Sequence, residues 1–274
     1  MTASPMATPL PWDLVSAAYN EEVVPLFEYF AREAIRFAAA PAGSRVVDVA
    51  CGPGTLSFLA AAAGHRVDAI DFSPEMLSYL EARRERDHID RITAQHGDGQ
   101  ALPYANATFG AGFSMFGLMF FPDRAAGFRE LRRVLVPGAR AVVSSWPRLE
   151  DNPVFAAMFG AIRTALSSIV PPNLAKASDA EMPISTEALC KAEMSAAFAD
   201  VEVHRVVHVQ HADSAEALWD SLKRTMAPIV LMRRNLGDKF APVDAAANSA
   251  IRNATGPGKV EVQLPAWLSV GVAV

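Results

Sequence analysis

Residues 46–55 read VVDVACGPGT, and this stretch decides the fold. Its first half is an apolar run, broken only by Asp48, of the kind that forms a strand buried on both faces of a parallel sheet. Gly52 and Gly54 follow, and they allow a tight turn in which main-chain N–H groups can approach a ligand closely. An Ala-rich helical stretch runs from Thr55 to Gly64. The segment predicts a strand, a ligand-binding turn and a helix.

The chain after this unit continues to alternate strands and helices. A helix start is predicted at Ser73-Pro74-Glu75, with Ser73 as the N-cap and the proline at the first helical position. Another helix is predicted at 126–134. Further strands are predicted at 66–70, 91–96, 109–116 and 139–146. This order predicts an α/β fold with a doubly wound, Rossmann-like sheet and helices on both faces.

Helical patterns dominate both ends of the chain. We predict an N-terminal helical segment at 1–40, kinked or begun at Pro25, and an α/β core at 41–146. A core helix and strand at 185–210 and a core strand at 259–274 should complete the sheet. Helical insertions at 147–184 and 211–258 are expected to form a cap, with single helices at 152–170 and 214–236. We expect residues 11–30, 147–184 and 213–254 to form a lid over an apolar ligand.

Composition and charge narrow the classes of partner. The 274 residues are 51% apolar and carry a net charge of −5, without a basic face, which disfavours a nucleic-acid partner. The two cysteines, Cys51 and Cys190, occur in unrelated contexts and are expected to be reduced. The first dozen residues lack the features of a signal peptide, and no apolar run approaches about 20 residues. We therefore predict a soluble, cytoplasmic protein with no membrane partner.

Polar residues also follow the second and third predicted strands. Asp71 directly follows the second, where a carboxylate can accept hydrogen bonds from both ribose hydroxyls of a nucleoside. Asp98 follows the third, where it either meets an adenine edge or belongs to an ordinary Asp-Gly turn. Ser57 replaces the third glycine of the dinucleotide fingerprint, and Asp48 precedes the turn. Both argue for a ligand less anionic than a pyrophosphate.

These motifs resemble those of the type 11 class I methyltransferases, and in particular the ubiquinone/menaquinone C-methyltransferases. The resemblance is carried, in order, by VVDVACGPGT (46–55), IDFSPEML (70–77), HGDGQALPY (96–104) and FSMFGLMFFPDRAAGFRELRRVLVPGARAVVSSW (113–146). WDLVSAAY (12–19) is similar as well, whereas 147–258 resemble the family only weakly. The family implies S-adenosylmethionine as cofactor and a seven-stranded sheet whose last strand, at 260–270, inserts antiparallel.

The resemblance also implies which residues contact the methionine end of the cofactor. Met115 and Phe116 would lie beside the sulfonium, and Tyr19 would close over it. The residues that would surround the methionine moiety are Asp48, Ala50, Cys51, Gly52 and Gly54.

The adenosine end would contact a second group of residues. Asp71 would hold the ribose, and Asp98 would bind the adenine amino group. The side chains packed on the adenine would be Phe72 and Met76. The neighbours of Asp98 in this group are Gly99 and Gln100.

The predicted function is methyl transfer from S-adenosylmethionine to a small, largely apolar organic acceptor, by O- or C-methylation. Two alternatives stay open: a nicotinamide-dependent oxidoreductase on a similar sheet, and a non-catalytic S-adenosylmethionine-binding protein. No residue stands out as a general base. His204 and His208 could share a strand face, but no Cys or carboxylate completes a ligand set, so no metal is predicted.

Overall fold

A single seven-stranded sheet organises the computed structural model, which describes residues 4–170 and 183–274. Its strands are β1 Arg45–Val49, β2 Arg66–Asp71, β3 Ile92–His96, β4 Phe109–Ser114, β5 Leu135–Ser145, β6 Ala199–Ala212 and β7 Val260–Val272. They lie in the order β3-β2-β1-β4-β5-β7-β6. The first five are parallel, and β7 runs antiparallel between β5 and β6. The predicted fold class and the antiparallel last strand are confirmed.

Ten α-helices surround the sheet within the described ranges. They are α1 Leu10–Ala18, α2 Val24–Ala38, α3 Thr55–Ala62, α4 Pro74–Arg86, α5 Arg124–Val134, α6 Pro153–Ser167, α7 Glu187–Ser195, α8 Ala215–Thr225, α9 Ala227–Leu236 and α10 Ala241–Thr255. A short π-helix, Tyr19–Val23, joins α1 to α2. The predicted start of α4 is confirmed, because the Ser73 hydroxyl accepts a hydrogen bond from the Met76 N–H at 3.1 Å.

The structure departs from the predicted elements in three places. The helix predicted at 214–236 is two helices, α8 and α9, because Pro228 in the first turn of α9 cannot continue α8. The strand predicted to reach 116 ends at Ser114, since Phe116 has a φ of +56°. β6 is longer than the strand that the sequence predicts at 201–209, because it pairs along most of its length with β7. Part of the predicted cap, 171–182, lies outside the described residues.

Apolar clusters fill both faces of the sheet, as the buried run in β1 predicts. Val46 belongs to the cluster beneath α2, α3 and the inserted helices, whereas Val47 and Val49 belong to the cluster beneath α5 and α7. A third, smaller cluster joins α1 to α4 and α9 through Val15, Met76 and other apolar side chains. The N-terminal helix is therefore a layer between the parallel core and the insertion. Within 4–170 and 183–274, no helix is long and apolar enough to cross a bilayer.

Candidate active site

The carboxyl ends of β1, β2 and β4 meet at one edge of the sheet because these strands are parallel neighbours. Ala50 after β1 and Phe116 after β4 both adopt left-handed backbone conformations, with φ of +57° and +56°. Such a conformation costs a non-glycine residue roughly 1–2 kcal/mol. A Cβ atom at Gly117 would overlap that of Ala50, so this glycine permits the close approach of the two turns. The strained backbone marks this edge as a site that the surrounding structure holds in place.

Asp71, at the end of β2, holds the glycine turn and the start of α4 together. Its Oδ2 accepts a hydrogen bond from the Gly52 N–H at 2.8 Å, and its Oδ1 accepts one from the Ser73 N–H at 2.8 Å. The residue is only 5% exposed. Burial raises the pKa of its carboxyl to about 6 against the lowering effect of these N–H groups. Asp71 is therefore fixed in place and ionised at neutral pH.

Asp48 is the second buried carboxylate of this edge and is 1% exposed. Its Oδ2 accepts a hydrogen bond from the Ser57 hydroxyl at 2.7 Å. Burial, with a smaller contribution from the charge of Asp71, raises the pKa of Asp48 to about 7. Ser57 stands where the dinucleotide fingerprint has its third glycine, and its contact with Asp48 was not predicted from the sequence. The hydroxyl of a serine at this position was the feature of the sequence that could have indicated the contact.

The loop after β3 is tied to the start of α5. The exposed Asp98 accepts hydrogen bonds from the Gln100 N–H at 2.8 Å and from the Gln100 side-chain amide at 3.0 Å. The side-chain carbonyl of Gln100 accepts in turn from the Asp123 N–H at 2.9 Å. Asp123 is the N-cap of α5. The Asp-Gly turn and the proposed adenine contact are thus compatible, because Asp98 also borders the cavity described next.

A single cavity connects these turns and encloses about 1230 Å³ of empty space, including its open mouth. Thirteen of the fourteen predicted site residues line it. They are Tyr19, Asp48, Ala50, Cys51, Gly52, Asp71, Phe72, Met76, Asp98, Gly99, Gln100, Met115 and Phe116.

Gly54 is the predicted site residue that does not line the cavity. Its φ is +87°, and a Cβ atom there would lie 3.0 Å from the Leu80 side chain and 3.1 Å from that of Phe58. The position therefore needs a glycine for the left-handed turn and for the packing of α3 against α4. The predicted place of Gly54 beside the methionine moiety stays a prediction, and this geometry gives the glycine a structural reason of its own.

The cavity has further lining residues that the sequence analysis did not assign. They are Met6, Ala7, Trp12, Phe27, Ala31, Pro53, Thr55, Leu56, Ile70, Gly97, Gly117, Phe120, Phe121 and Pro122. Trp12 lies in the quoted WDLVSAAY motif. Phe27 and Ala31 have helical spacing, which is as typical of residues that pack in the core as of residues that line a cavity. Aromatic residues such as Phe120 also occur in both places, so the sequence could not distinguish the two roles.

An aromatic wall closes the side of the cavity next to β4. The Phe116 N–H donates to the Ser144 hydroxyl at 2.8 Å, and the Phe116 ring stacks on Trp146 with centroids 4.1 Å apart. Phe27 lies 4.8 Å from Phe116 and 5.8 Å from Tyr19, centroid to centroid. Burial, reinforced by the charge of Asp71, raises the pKa of the Tyr19 hydroxyl, which stays neutral. This end of the cavity is apolar and without a charge of its own.

The N-terminal segment covers the cavity, and the described parts of the two insertions do not line it. Met6, Trp12, Tyr19 and Phe27 supply the cover. The insertion side chains expected to enclose a ligand belong to the main core cluster or pack against it: Phe155, Phe159, Trp219, Met226, Ile229 and Met232. Among the described residues, only the first segment of the predicted lid lines the cavity, and the lid and its movement stay predictions.

The strand histidines pack against α2. The His204 ring stacks on Phe37 at 4.2 Å, and the His208 ring stacks on Tyr29 at 4.9 Å. Burial, and to a smaller degree nearby His211, lowers the pKa of His208. Within the part of the chain that the structure describes, no three His, Cys, Asp or Glu residues are arranged to hold a metal ion.

The residues around the cavity suit S-adenosylmethionine better than a dinucleotide. Buried Asp71 offers a fixed carboxylate to ribose hydroxyls, and Asp48 adds negative character near the turn. No Lys or Arg occurs among the described lining residues, although a pyrophosphate needs neutralisation. A sulfonium cation is favoured by acidic groups and aromatic faces. The donor set therefore fits a cationic nucleoside cofactor.

Comparison with known proteins agrees with this geometry. The family described as methyltransferase domain matches residues 46–138. The uncharacterized protein Rv1405c of Mycobacterium tuberculosis is 31% identical over 201 residues, which cover 72% of this chain and 69% of that protein. The 2-phytyl-1,4-naphtoquinone methyltransferase of Synechococcus elongatus is 38% identical over 122 residues, or 43% and 52% of the two chains. The chain belongs to the class I S-adenosylmethionine-dependent methyltransferases.

The methyltransferase assignment confirms the type 11 resemblance and sets aside the oxidoreductase and the non-catalytic binding protein. A solved structure shares the fold: phosphoethanolamine N-methyltransferase 2 of Haemonchus contortus, in complex with phosphomonomethylethanolamine and S-adenosylhomocysteine. It has a TM-score of 0.59 and 15% identity, and the match covers 96% of this chain and 58% of that one. At this identity, the likeness shows the fold alone. S-Adenosylmethionine is the cofactor that membership of this methyltransferase family gives to the chain.

Proposed function

We propose that this methyltransferase transfers its methyl group to a small, largely apolar organic acceptor, by O- or C-methylation. The observation that carries the proposal is the composition of the cavity lining. It combines carboxylates and main-chain turns, including Asp48, Asp71 and Asp98, with aromatic and methionine side chains, and among the described residues it holds no Lys or Arg. The carboxylates and turns suit the cofactor, and the apolar side chains suit an apolar acceptor.

The first group of roles in this proposal concerns the adenosine. Asp71 would accept hydrogen bonds from the ribose hydroxyls with the oxygen lone pairs that Gly52 and Ser73 leave free. Phe72 and Met76 would pack on the adenine. The side chains that would meet the edge of the adenine are Asp98 and Gln100, with Gly99 between them.

The second group of roles concerns the reacting end. The turn at Ala50, Cys51 and Gly52 would hold the methionine moiety beside Asp48, and Met115 and Phe116 would border the sulfonium. When bound, S-adenosylmethionine supplies a methyl group already activated for displacement. The protein has mainly to align the acceptor and exclude water, and such positioning contributes about 7–11 kcal/mol. The neutral Tyr19 and the aromatic wall serve that purpose.

The aromatic wall around Phe27 and Phe116 also supports a particular chemical class of acceptor. Tyr19 packs against Phe27 in this wall, and its raised pKa keeps its hydroxyl protonated, so that it cannot take a proton from the acceptor. An acceptor that is itself easily ionised, such as a phenol or a quinol, needs no stronger base. The Synechococcus relative is named for a naphthoquinone substrate, which supports a flat aromatic acceptor here.

Methyl transfer from labelled S-adenosylmethionine to a panel of acceptors tests the proposal. Naphthoquinols, alkylphenols and catechols form one arm, and charged amines such as phosphoethanolamine form the other. We expect S-adenosylhomocysteine production with members of the first arm. Turnover confined to the charged amines would contradict the apolar-acceptor proposal.

A further inference from the structure

The chain widens into a π-helix at the point where it passes over the cavity. The Val24 N–H donates to the carbonyl of Tyr19, five residues earlier, and the segment runs from Tyr19 to Val23. Pro25 follows in the first turn of α2, where it has no N–H to continue a regular helix. π-Helical turns are rare and are frequent at functional sites. This turn sets the position of Tyr19 on the cavity wall.

Glu22, in the same turn, is bonded to the second insertion. Its Oε2 accepts a hydrogen bond from the Ser221 hydroxyl at 2.5 Å and one from Arg224 Nη2 at 3.2 Å. Its Oε1 accepts one from Arg224 Nε at 2.8 Å. Partial burial alone would raise the pKa of Glu22, but the bonds from Arg224 and Ser221 hold it below its usual value. The carboxylate therefore stays ionised and bidentate to the guanidinium.

The partner helix α8 is itself fixed. The Trp219 indole N–H donates to Asp244 Oδ1 on α10 at 2.9 Å, and Lys223 Nζ lies 3.0 Å from the same oxygen. Trp219 is fully buried in the main core cluster. The contact of Glu22 is thus with a rigid part of the cap rather than with a loose surface helix.

A second polar contact attaches the N-terminal segment to the core instead. The Ser73 hydroxyl donates to Asp13 Oδ1 at 2.5 Å, and Ser73 also donates its N–H to Asp71. The segment is therefore bound at Asp13 to the core and at Glu22 to the cap. The π-turn that carries Tyr19 begins between these two attachments.

We propose that Glu22 is a positioning residue that holds Tyr19 over the bound cofactor through its contacts with Ser221 and Arg224. In this way the inserted helices act on cofactor retention without lining the cavity. The inference rests on the proposed placement of the cofactor beneath Tyr19. Glu22 and Arg224 keep 28% and 51% of their side-chain surface exposed. Because solvent screens such a pair, its loss should loosen the cover rather than abolish binding.

Glu22→Ala provides the test, with Glu28→Ala as the matched control. Glu28 lies on α2, and Glu28→Ala removes the same charge. Among the residues that the structure describes, the Glu28 carboxylate bonds only to Arg32, one turn away at 3.1 Å. We expect Glu22→Ala to speed the dissociation of S-adenosylhomocysteine and to raise the KM for S-adenosylmethionine by about three- to tenfold. The kcat should change less than KM. The melting temperatures of the two variants should agree, and Glu28→Ala should bind like the wild type.

Arg224→Met, and the variant that combines it with Glu22→Ala, test whether Arg224 is the residue through which Glu22 acts. If Glu22 acts through Arg224, Arg224→Met should itself speed the release of S-adenosylhomocysteine. The variant with both changes should then release it about as fast as Glu22→Ala alone, since both changes remove one contact. Effects that simply add would overturn the inference. A folded Glu22→Ala protein with wild-type dissociation would overturn it as well.

Asp71→Asn, measured in parallel, separates this inference from the proposed function. Lost affinity in Asp71→Asn beside unchanged dissociation in Glu22→Ala would leave the cofactor placement standing and remove the role of Glu22. Unchanged affinity in a folded Asp71→Asn protein would overturn the cofactor placement, and the inference about Glu22 with it.

Discussion

Two regions of the molecule are held by opposite kinds of contact. One comprises the turns at the carboxyl ends of β1 and β2, and the other comprises the inserted helices α8–α10. In the turns, buried carboxylates bond to main-chain N–H groups and to a buried hydroxyl, as Asp71 and Asp48 do. In the insertion, apolar helix faces pack together and exposed ion pairs such as Arg252–Glu216 lie outside them. A change in the first region leaves a buried polar group unpaired, whereas water replaces what is lost in the second. The first region should therefore be intolerant of change and the second tolerant.

The largest effect is expected for Asp71→Ala. With the cofactor placed as proposed, the change removes two hydrogen bonds to the ribose, each worth about 1.5–3 kcal/mol because the acceptor is charged. It also leaves the Gly52 and Ser73 N–H groups without their partner, so the free energy of unfolding should fall too. Calorimetry with S-adenosylhomocysteine and denaturant titration measure the two losses. Asp98→Ala, a change at an exposed carboxylate, is the control for stability. Full affinity in folded Asp71→Ala would contradict the intolerance of the turns.

Asp48 should make stability depend on pH. Burial raises its pKa from 3.8 to about 7, so between these values the native state binds a proton that the unfolded chain has lost. The stability gained from this extra bound proton is therefore complete below pH 3.8, and it declines as the pH rises towards 7. A shift of about three pKa units corresponds to at most about 4 kcal/mol. Asp48→Asn should flatten the pH dependence of unfolding between pH 4 and 7. If the free energy of unfolding depended on pH identically in both proteins, the pKa of Asp48 would not be raised in the native state.

Gly54→Ala should be less damaging, and Gly138→Ala is its control. Both glycines have nearly the same φ, +87° and +84°, but a Cβ atom meets Leu80 and Phe58 only at Gly54. Both variants should lose about 1 kcal/mol from backbone strain, and Gly54→Ala should lose about 1–3 kcal/mol more from overpacking. Denaturant unfolding gives the difference directly. Equal losses would mean that α3 and α4 yield freely around the turn.

The smallest effect is expected in the insertion, for Glu216→Gln. This removes the ion pair with Arg252, whose two side chains are about half exposed. We expect no measurable change in the melting temperature or in S-adenosylhomocysteine affinity, because solvent screens the pair. A clear drop in either quantity would show that the insertion depends on its surface charges, and the contrast with the turns would fail.

The difference between the two regions also explains which predictions held. The Ser73 cap, the strand before Asp71 and the turn at Gly52 are signalled by neighbouring residues, and the structure confirms all three elements. The break at Met226 was signalled by Pro228, but the long helical pattern around it concealed the signal. The length of β6 had no such local signal, because its partner β7 lies far away in the chain.

The sequence by itself determined the parallel α/β core and a turn with carboxylates that suits a nucleoside cofactor. Those features rest on local periodicity, caps and backbone preferences, all of which act within a few residues. Only the tertiary structure decided that the N-terminal helix lies between the cavity and the insertion, that Gly54 faces Leu80, and that Glu22 meets Arg224. These contacts join residues distant in the chain, and side chains such as Phe27 satisfy the same apolar pattern whether they fill a core or border a cavity. Burial, which also sets the pKa of Asp48, belongs to the packed molecule rather than to any segment of it.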